Sequence, residues 1–319
     1  MTAASELLTP ARASVTQGRS AMRLFWERFR DDKVALGAAV VIGILILLAI
    51  IGGPVAQQLT GHSNDAIFPA TMENSFGLPL GPNSHFWFGA DGSARDVFVR
   101  VMYGARTSLI VGVIASGIAV LIGLVVGMCA GYFRGWLDTV LSRVGDVMLA
   151  MPQLLISIGI VAACSSNKNG CVHGLIQPGV PLVVSVIVIF SWPYIARLVR
   201  GFTLSIREKE FVEASRSLGA SNMRIIFREI LPNLAGPIIV YTTLLIPQSI
   251  LFEAALSYLG LGVPPQTASW GGLLNDAQTY YNTAWWLVVF PGLFLVMTTL
   301  AFNLLGDGLR DALDVRADR

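Results

Sequence analysis

Charged residues are scarce in this chain. They make up 13% of its 319 residues, whereas 54% are hydrophobic, and soluble domains carry about 25% charged residues. This deficit favours a protein whose solvent is largely lipid, because an ionised side chain in hydrocarbon is costly. Lysine occurs only at Lys33, Lys168 and Lys209, and the net charge is only +2. Without a basic tract, the sequence argues against nucleic acid as a partner.

Motifs for nucleotide binding and catalysis are absent from the sequence. There is no G-x-x-x-x-G-K-[ST] loop, no H-E-x-x-H pair and no Ser-His-Asp or Cys-His set. His62 and His85, in the predicted outer loop 57–106, have no Cys or carboxylate at metal-ligand spacing. We therefore expect no catalytic residue, no metal site and no cofactor in this chain, and we expect both histidines to be solvated.

Long apolar runs fill much of the sequence. A helix needs about 20 apolar residues to cross a bilayer, and these runs lack the alternation of barrel strands. The sequence therefore predicts an all-α polytopic membrane protein within residues 34–306. The six predicted transmembrane helices are 34–56, 107–131, 140–163, 180–200, 234–258 and 285–306.

Lys and Arg are distributed unequally between the predicted loops. Eighteen of the 22 lie on one side of the spans, and such residues accumulate on the cytoplasmic side. Both termini are therefore expected in the cytoplasm, with 1–18 as a disordered tail and 307–319 as a C-terminal tail. In 19–33, apolar residues at helical spacing predict an amphipathic helix on the inner membrane surface, with disorder as the alternative.

The predicted spans contain regularly spaced glycines and a few charged residues. Glycine recurs at every fourth position of the second span, which predicts a flat stripe for close helix packing: Gly123, Gly127 and Gly131. In the third span Asp146 follows Arg143 by three positions, and we expect a local ion pair, with a transport role as the alternative. Glu253, in the fifth span, lines an aqueous pathway or binds a backbone group of a neighbouring loop.

The two later outer loops carry further candidates. Loop 259–284 lacks Lys and Arg but contains Trp270, Asn275 and Asp276. These residues suit an interfacial belt, and an outer gate or a docking site for a partner is the alternative.

The other outer loop, 164–180, contains Cys164 and Cys171. Because this loop is expected on the oxidising side, we predict a disulfide between them, with two free thiols as the alternative.

The predicted cytoplasmic loop 201–232 has the clearest local pattern. Four residues at helical spacing form one small-to-apolar face of a short helix: Phe211, Ala214, Ser215 and Leu218. Gly219 is expected to end this helix, and Ser221 or Asn222 to cap a second one. Pro232 is expected to stop the second helix and to start the fifth span. Such a face suits a groove on a partner, whereas a solvated loop is the alternative.

This loop resembles the EAA loop of ABC-importer permeases. The resemblance rests on Glu213-Ala214-Ser215, Gly219 and Leu231-Pro232, which have the family's spacing. Two positions depart from the pattern, since Ser215 replaces the second Ala and Glu229 stands at a usually aliphatic site. Other stretches are similar to the C-type permeases of dipeptide and oligopeptide importers: Phe88–Val97 (with Ala94 for the usual Gly), Tyr103–Leu109, Glu253–Gly262, Trp270–Leu273 and Asn303–Leu313.

The resemblance implies a type I importer fold in the bacterial cytoplasmic (inner) membrane. It also implies a homologous second permease, an extracytoplasmic binding protein and two cytoplasmic ABC ATPases that hold ATP and Mg²⁺. The residues assigned to ATPase coupling are Phe211, Glu213, Ala214, Ser215, Leu218, Gly219 and Pro232. The implied cargo is a di- or oligopeptide, with nickel, glutathione or another small solute as alternatives. A passive channel and a membrane-embedded enzyme are the less favoured classes.

Overall fold

The computed structural model describes residues 21–166 and 170–313, so the predicted disordered tail 1–18 lies outside the described residues. The described residues form helices and a few isolated β-bridges. The helices are α1 (Ala21–Asp31), α2 (Lys33–Leu47), α3 (Gly53–Thr60), α4 (Pro69–Met72), α5 (Val97–Phe133), α6 (Gly135–Ala150), α7 (Gln153–Ser165), α8 (Val180–Arg207), α9 (Glu210–Ser217), α10 (Asn222–Ile225), α11 (Leu231–Tyr258), α12 (Trp270–Tyr280) and α13 (Trp286–Leu313). Two π-helical turns, Leu48–Gly52 and Ile226–Ile230, join α2 to α3 and α10 to α11.

Five stretches of helix are long and apolar enough to cross a membrane: Lys33–Thr60, Val97–Phe133, Val180–Arg207, Asn222–Tyr258 and Trp286–Leu313. The bent pair α6 and α7 makes a sixth if it counts as one span. The all-α polytopic fold is thus confirmed.

Several helix ends differ from the predicted span ends; the fourth span, predicted to end at 200, continues in α8 to Arg207. The second span begins at Val97 rather than 107, because the Asp96 carboxylate caps it by accepting from the N–H of Phe98 at 2.9 Å. The last helix continues to Leu313 rather than ending at 306, so the described part of the predicted C-terminal tail, 307–313, is helical.

The third predicted span is not a straight helix. Its two halves, α6 and α7, meet at an angle of 86°. Met151 is extended, with φ −78° and ψ 139°, because the ring of Pro152 disfavours helical backbone in the residue before it. Proline also lacks the N–H that would continue the helix. The expectation of one continuous helix over 140–163 was therefore wrong.

The glycine stripe of α5 packs against α8. A Cβ on Gly127 would lie 2.5 Å from the carbonyl oxygen of Ala196, and one on Gly131 would lie 2.7 Å from Cβ of Thr203. Gly123 makes an equally close approach to Ile195. Only glycine allows the two backbones to come this near, so the stripe fixes the central helix pair of the bundle.

The two ends of the bundle differ in structure. One end contains α6 and the loop 201–232 with α9, and we call it the inner end because we expect it to face the cytoplasm. At the other, the outer end, loop 61–96 and α12 pack over the start of α5, and the Trp286 indole donates to the carbonyl of Ala90 at 2.9 Å. The segment predicted to be amphipathic contains α1, where Phe29 is buried and Trp26 is exposed.

Candidate functional site

The short helix α9 lies at the inner end of the bundle. Lys209 is extended and precedes it, and Gly219 follows it with φ +79°, a conformation that costs glycine little. Ser221 then caps α10 by accepting from the N–H of Arg224 at 3.4 Å. The sequence pattern of a helix, a turn and a capped second helix is therefore what the chain adopts here.

The side chains of α9 divide into a buried anchor and an exposed surface. Val212 is fully buried, in one apolar cluster with Ile225 and Ile230. On the predicted docking face, Leu218 is 88% exposed and Phe211 is 42% exposed. Water contact of this extent is costly for large apolar side chains, so the face is available to a partner.

The remaining predicted coupling residues have distinct surroundings. Glu213 and Ala214 are exposed, and the Ser215 hydroxyl donates to the carboxylate of Glu229 at 3.3 Å. Pro232 does not stop a helix, because Asn222–Tyr258 runs through it. It occupies the first turn of α11, after a π-helical turn, where a missing N–H is tolerated.

A set of polar contacts joins the loop around α9 to the inner end of α5. The Tyr132 hydroxyl donates to the side-chain oxygen of Asn222 at 2.8 Å, and Arg207 donates to the carbonyl of Tyr132 at 2.8 Å. Arg134 forms an ion pair with Glu208. We call these five residues the α5 clamp. It connects the residues on both sides of α9 to the inner end of α5.

The predicted ion pair between Arg143 and Asp146 was wrong. Asp146 instead accepts from Arg197 of α8 at 2.6 Å, and Asp138 accepts from Arg200 at 2.8 Å. Both carboxylates of α6 therefore pair with arginines of α8 rather than within their own helix. Arg143 lines a cavity of about 380 Å³ between α6 and α8.

Two of the predicted pathway residues are buried packing elements. Glu253 is fully buried, and its carboxylate accepts from the hydroxyls of Ser257 at 2.7 Å and Ser108 at 3.2 Å. A third partner is the Ser269 side chain at the start of α12, so the partners shown for Glu253 are side chains of its own helix, of α5 and of the neighbouring loop. Trp270 is also fully buried, and its indole donates to the carbonyl of Val101 at 3.1 Å.

The other two candidates lie near the surface of the outer end. Asn275 donates to the carbonyl of Tyr258 at 2.7 Å, which fixes the end of α11. Asp276 lies 3.7 Å from Arg95. Burial raises the pKa of Asp276 above its ordinary value; the nearby Asp91 adds to the rise, while Arg100 and Arg95 oppose it.

A buried charge cluster lies beneath Asp276. Asp91 is fully buried and accepts from Nε of Arg95 at 2.7 Å, while Nε of Arg100 lies 3.3 Å from the same carboxylate. Arg100 also donates to the carbonyl of Pro265 at 3.0 Å. The cluster ties the loop before α5 to the loop before α12.

The expectation that His62 is solvated was wrong. Its Nδ1 lies 2.7 Å from the carboxylate of Asp96, and its ring stacks on Phe86 with centroids 4.4 Å apart. Asp96 already caps α5, so this contact fastens the end of α3 to the start of the second span.

The loop between α7 and α8 is closed by a disulfide. Cys164 and Cys171 are bonded, with their Cα atoms 5.1 Å apart. Cys164 at the end of α7 is buried, whereas Val172 and Leu175 beyond the bridge are exposed. The crosslink thus holds an apolar tip at the outer end.

Comparison with protein families accounts for almost the whole chain. Residues 100–319 match the family described as the inner membrane component of binding-protein-dependent transport systems. Residues 20–74 match the N-terminal transmembrane domain of oligopeptide transport permease C. This chain is an ABC importer permease of the peptide/nickel, C-type family.

Relatives of this permease include permease proteins of glutathione transport systems. The glutathione transport system permease protein GsiD of Escherichia coli O6:K15:H31 is 42% identical over 301 residues, covering 93% of this chain and 91% of the relative. GsiD of Pectobacterium atrosepticum is 39% identical over 296 residues, with the same coverage of both chains.

Solved structures share the permease's fold. The MetNI methionine ABC transporter, in an inward-facing conformation, aligns with a TM-score of 0.55 at 18% identity, over 67% of this chain and 96% of the other. An amino acid ABC transporter crystallised with histidines aligns with a TM-score of 0.51 at 20% identity, over 66% and 93%. Both support the type I importer fold.

Sequence reasoning missed the α5 clamp of this permease. Tyr132 and Arg134 end α5 within an otherwise small and apolar run, and Arg207 ends α8. Polar residues at helix ends are common, so nothing local showed that Tyr132 and Asn222, 90 positions apart, would meet.

Proposed function

We propose that this permease imports short peptides, which an extracytoplasmic binding protein delivers and which two cytoplasmic ATPases drive inwards. Together with a homologous permease it would form the pathway. ATP and Mg²⁺ would be held by the ATPases. Family membership supports the machinery, and the exposed face of α9 supports the coupling.

The observation that carries the proposal is the contrast within α9. Phe211 and Leu218 face solvent, while Val212 and the α5 clamp hold the same segment to the bundle. A groove on an ATPase that binds this face would therefore move α5 with α9. To shift a gate from mostly closed to mostly open, the ATPase must bind the two states with several kcal/mol of difference.

Glutathione is the first cargo to test. It is a tripeptide, which fits both the peptide permease family and the name of the GsiD relatives. Nickel is the alternative within the family.

Orientation follows from charge and from cysteine chemistry. With both termini in the cytoplasm, the disulfide-closed tip after α7 lies outside, where disulfides persist. Thiol-reactive labels that cannot cross the membrane test this directly. After reduction of intact cells, Cys171, which is the more exposed of the two, should react from outside.

The coupling test is an arginine placed on the proposed docking face. Ala214→Arg puts a bulky charge between Phe211 and Leu218, so we expect ATP-dependent uptake into proteoliposomes to fall at least tenfold, with loss of ATPase co-purification. The matched control is Ser217→Arg, which adds the same side chain to an exposed position outside the face. Normal uptake by Ala214→Arg would refute ATPase docking through α9. Uptake by the wild type without ATP would indicate a channel instead.

A further inference from the structure

A second pair of large apolar side chains is exposed beside the docking face of α9. Met223 is 61% exposed and Phe227 is 54% exposed, and their spacing of one helical turn places them on one side of the segment formed by α10 and the π-helical turn after it. The opposite side of this segment is buried, since Ile225 and Ile230 pack in the same apolar cluster as Val212 of α9. Like α9, the segment therefore has a buried anchor and an exposed apolar side.

The exposed pair lies beyond the hydrocarbon core of the membrane. The helix Asn222–Tyr258 has 37 residues, which gives about 55 Å at a rise of about 1.5 Å per residue, whereas the hydrocarbon core is about 30 Å thick. Its stretch 230–252 contains no charged residue and is long enough to cross that core. Arg224 and Arg228, next to the pair, are both exposed, and ionised side chains are costly in hydrocarbon. Lipid tails therefore do not cover this pair, unlike the exposed apolar side chains of the spans.

The exposed pairs of the two helices belong to one unit of structure. Leu218 and Met223 are separated only by the turn 219–222, which is closed where the N–H of Ala220 donates to the carbonyl of Ser215 at 3.1 Å. The Ser215 hydroxyl also donates to Glu229, which joins α9 to the π-helical turn. Because both helices bury one side in the same cluster, their exposed sides both face away from the bundle. Single exposed apolar residues are ordinary on a protein surface, but a set of four on one helix-turn-helix is typical of an interaction site.

We propose that the ATPase docking surface continues from α9 onto this segment, and that Met223 and Phe227 bind an apolar groove on the same ATPase subunit. The inference rests on the proposed function, because the ATPase is the partner proposed for Phe211 and Leu218 and the two pairs are continuous. It adds a contact with a different span. The segment is the start of the helix that becomes α11, so an ATPase bound here would hold the fifth span directly, whereas α9 is linked to α5 by the α5 clamp.

The test measures the affinity of the purified ATPase subunits for the complete pair of permeases in nanodiscs. Met223→Asp and Phe227→Asp should each raise the Kd of the ATPase about tenfold or more, because an ionised group would replace a large apolar side chain in the groove. Met223→Leu and Phe227→Leu should stay within about threefold of the wild type, since they keep the apolar character. The matched control is Phe76→Asp, which makes the same change at a residue that is 86% exposed at the outer end and should leave the Kd unchanged.

Different outcomes overturn this extension and the proposed function. If both aspartate variants bind the ATPase like the wild type while Ala214→Arg does not, docking is confined to α9 and the extension is wrong. If Ala214→Arg also binds normally, docking through α9 itself fails. The nanodiscs are prepared from phosphatidylcholine alone and with added phosphatidylglycerol, and a loss of affinity that occurs only with the anionic lipid would assign the pair to the membrane surface instead. Loss of the second permease from the aspartate variants would assign the pair to the fold or to the contact between permeases, which also contradicts the proposal.

Discussion

The two ends of the bundle use ion pairs of similar length in very different surroundings. At the outer end, Asp91 is fully buried and binds Arg95 at 2.7 Å. At the inner end, Asp146 binds Arg197 at 2.6 Å, but its side chain is 48% exposed and that of Arg197 is 63% exposed. A buried charge is uncompensated once its partner is lost, whereas an exposed charge is solvated. The outer end is therefore a fixed frame, and the inner end is a surface that can exchange contacts.

The largest effect is expected from removing the buried charge. Asp91→Asn leaves the guanidinium of Arg100 buried without its carboxylate, which should cost about 3–5 kcal/mol of stability. Thermal unfolding of the purified complex in detergent measures this as a lower Tm. A Tm within error of the wild type would show that the outer end is not a fixed frame.

A smaller loss of stability is expected from a substitution in the contact between α5 and α8, which connects the two ends. Gly127→Val places side-chain atoms against the Ala196 carbonyl, 2.5 Å from the ideal Cβ position, and overpacking of this kind costs about 1–3 kcal/mol. The control is Gly117→Val on the same helix, where a Cβ meets no atom within 4 Å. Equal losses in Tm would contradict the role of the glycine stripe in holding α5 against α8.

At the inner end, replacing an aspartate by asparagine should change the free energy of unfolding very little. Asp146→Asn removes an exposed ion pair, which contributes about 0–1 kcal/mol. Because α6 and α8 also line the cavity of about 380 Å³ at the inner end, uptake and ATPase coupling of this variant are measured together with its Tm. A loss of stability equal to that of Asp91→Asn would remove the distinction between the ends.

The smallest effect concerns the pH dependence of the outer end. Burial raises the pKa of Asp276, so the folded protein binds this proton more tightly than the unfolded chain does. The carboxyl group therefore contributes less stability as pH rises from its ordinary pKa of 3.8 through its folded value. Asp276→Asn should give a slightly higher Tm above this window and the same Tm below it. A higher Tm for the wild type at neutral pH would reverse the sign.

Local features of this chain could be predicted because their causes lie within a few residues. The turn at Gly219 could be predicted because one helix must end there before a second begins. The cap at Ser221 could be predicted because a serine side chain accepts a hydrogen bond from the backbone at the start of a helix. The glycine stripe gave a packing surface on α5 but not its partner. The bend at Pro152 also had a local signal, in the proline and the residue before it, which the hydropathy of 140–163 concealed.

The sequence by itself determined that this is a helical membrane protein of the importer family, because hydropathy, charge bias and the loop motif are properties of short segments. Only the tertiary structure decided which distant residues meet. It pairs Asp146 with Arg197 instead of Arg143, Glu253 with Ser108, and Tyr132 with Asn222. Helical periodicity shows which face of a span is polar or small, but the packing of neighbouring helices selects the partner of that face.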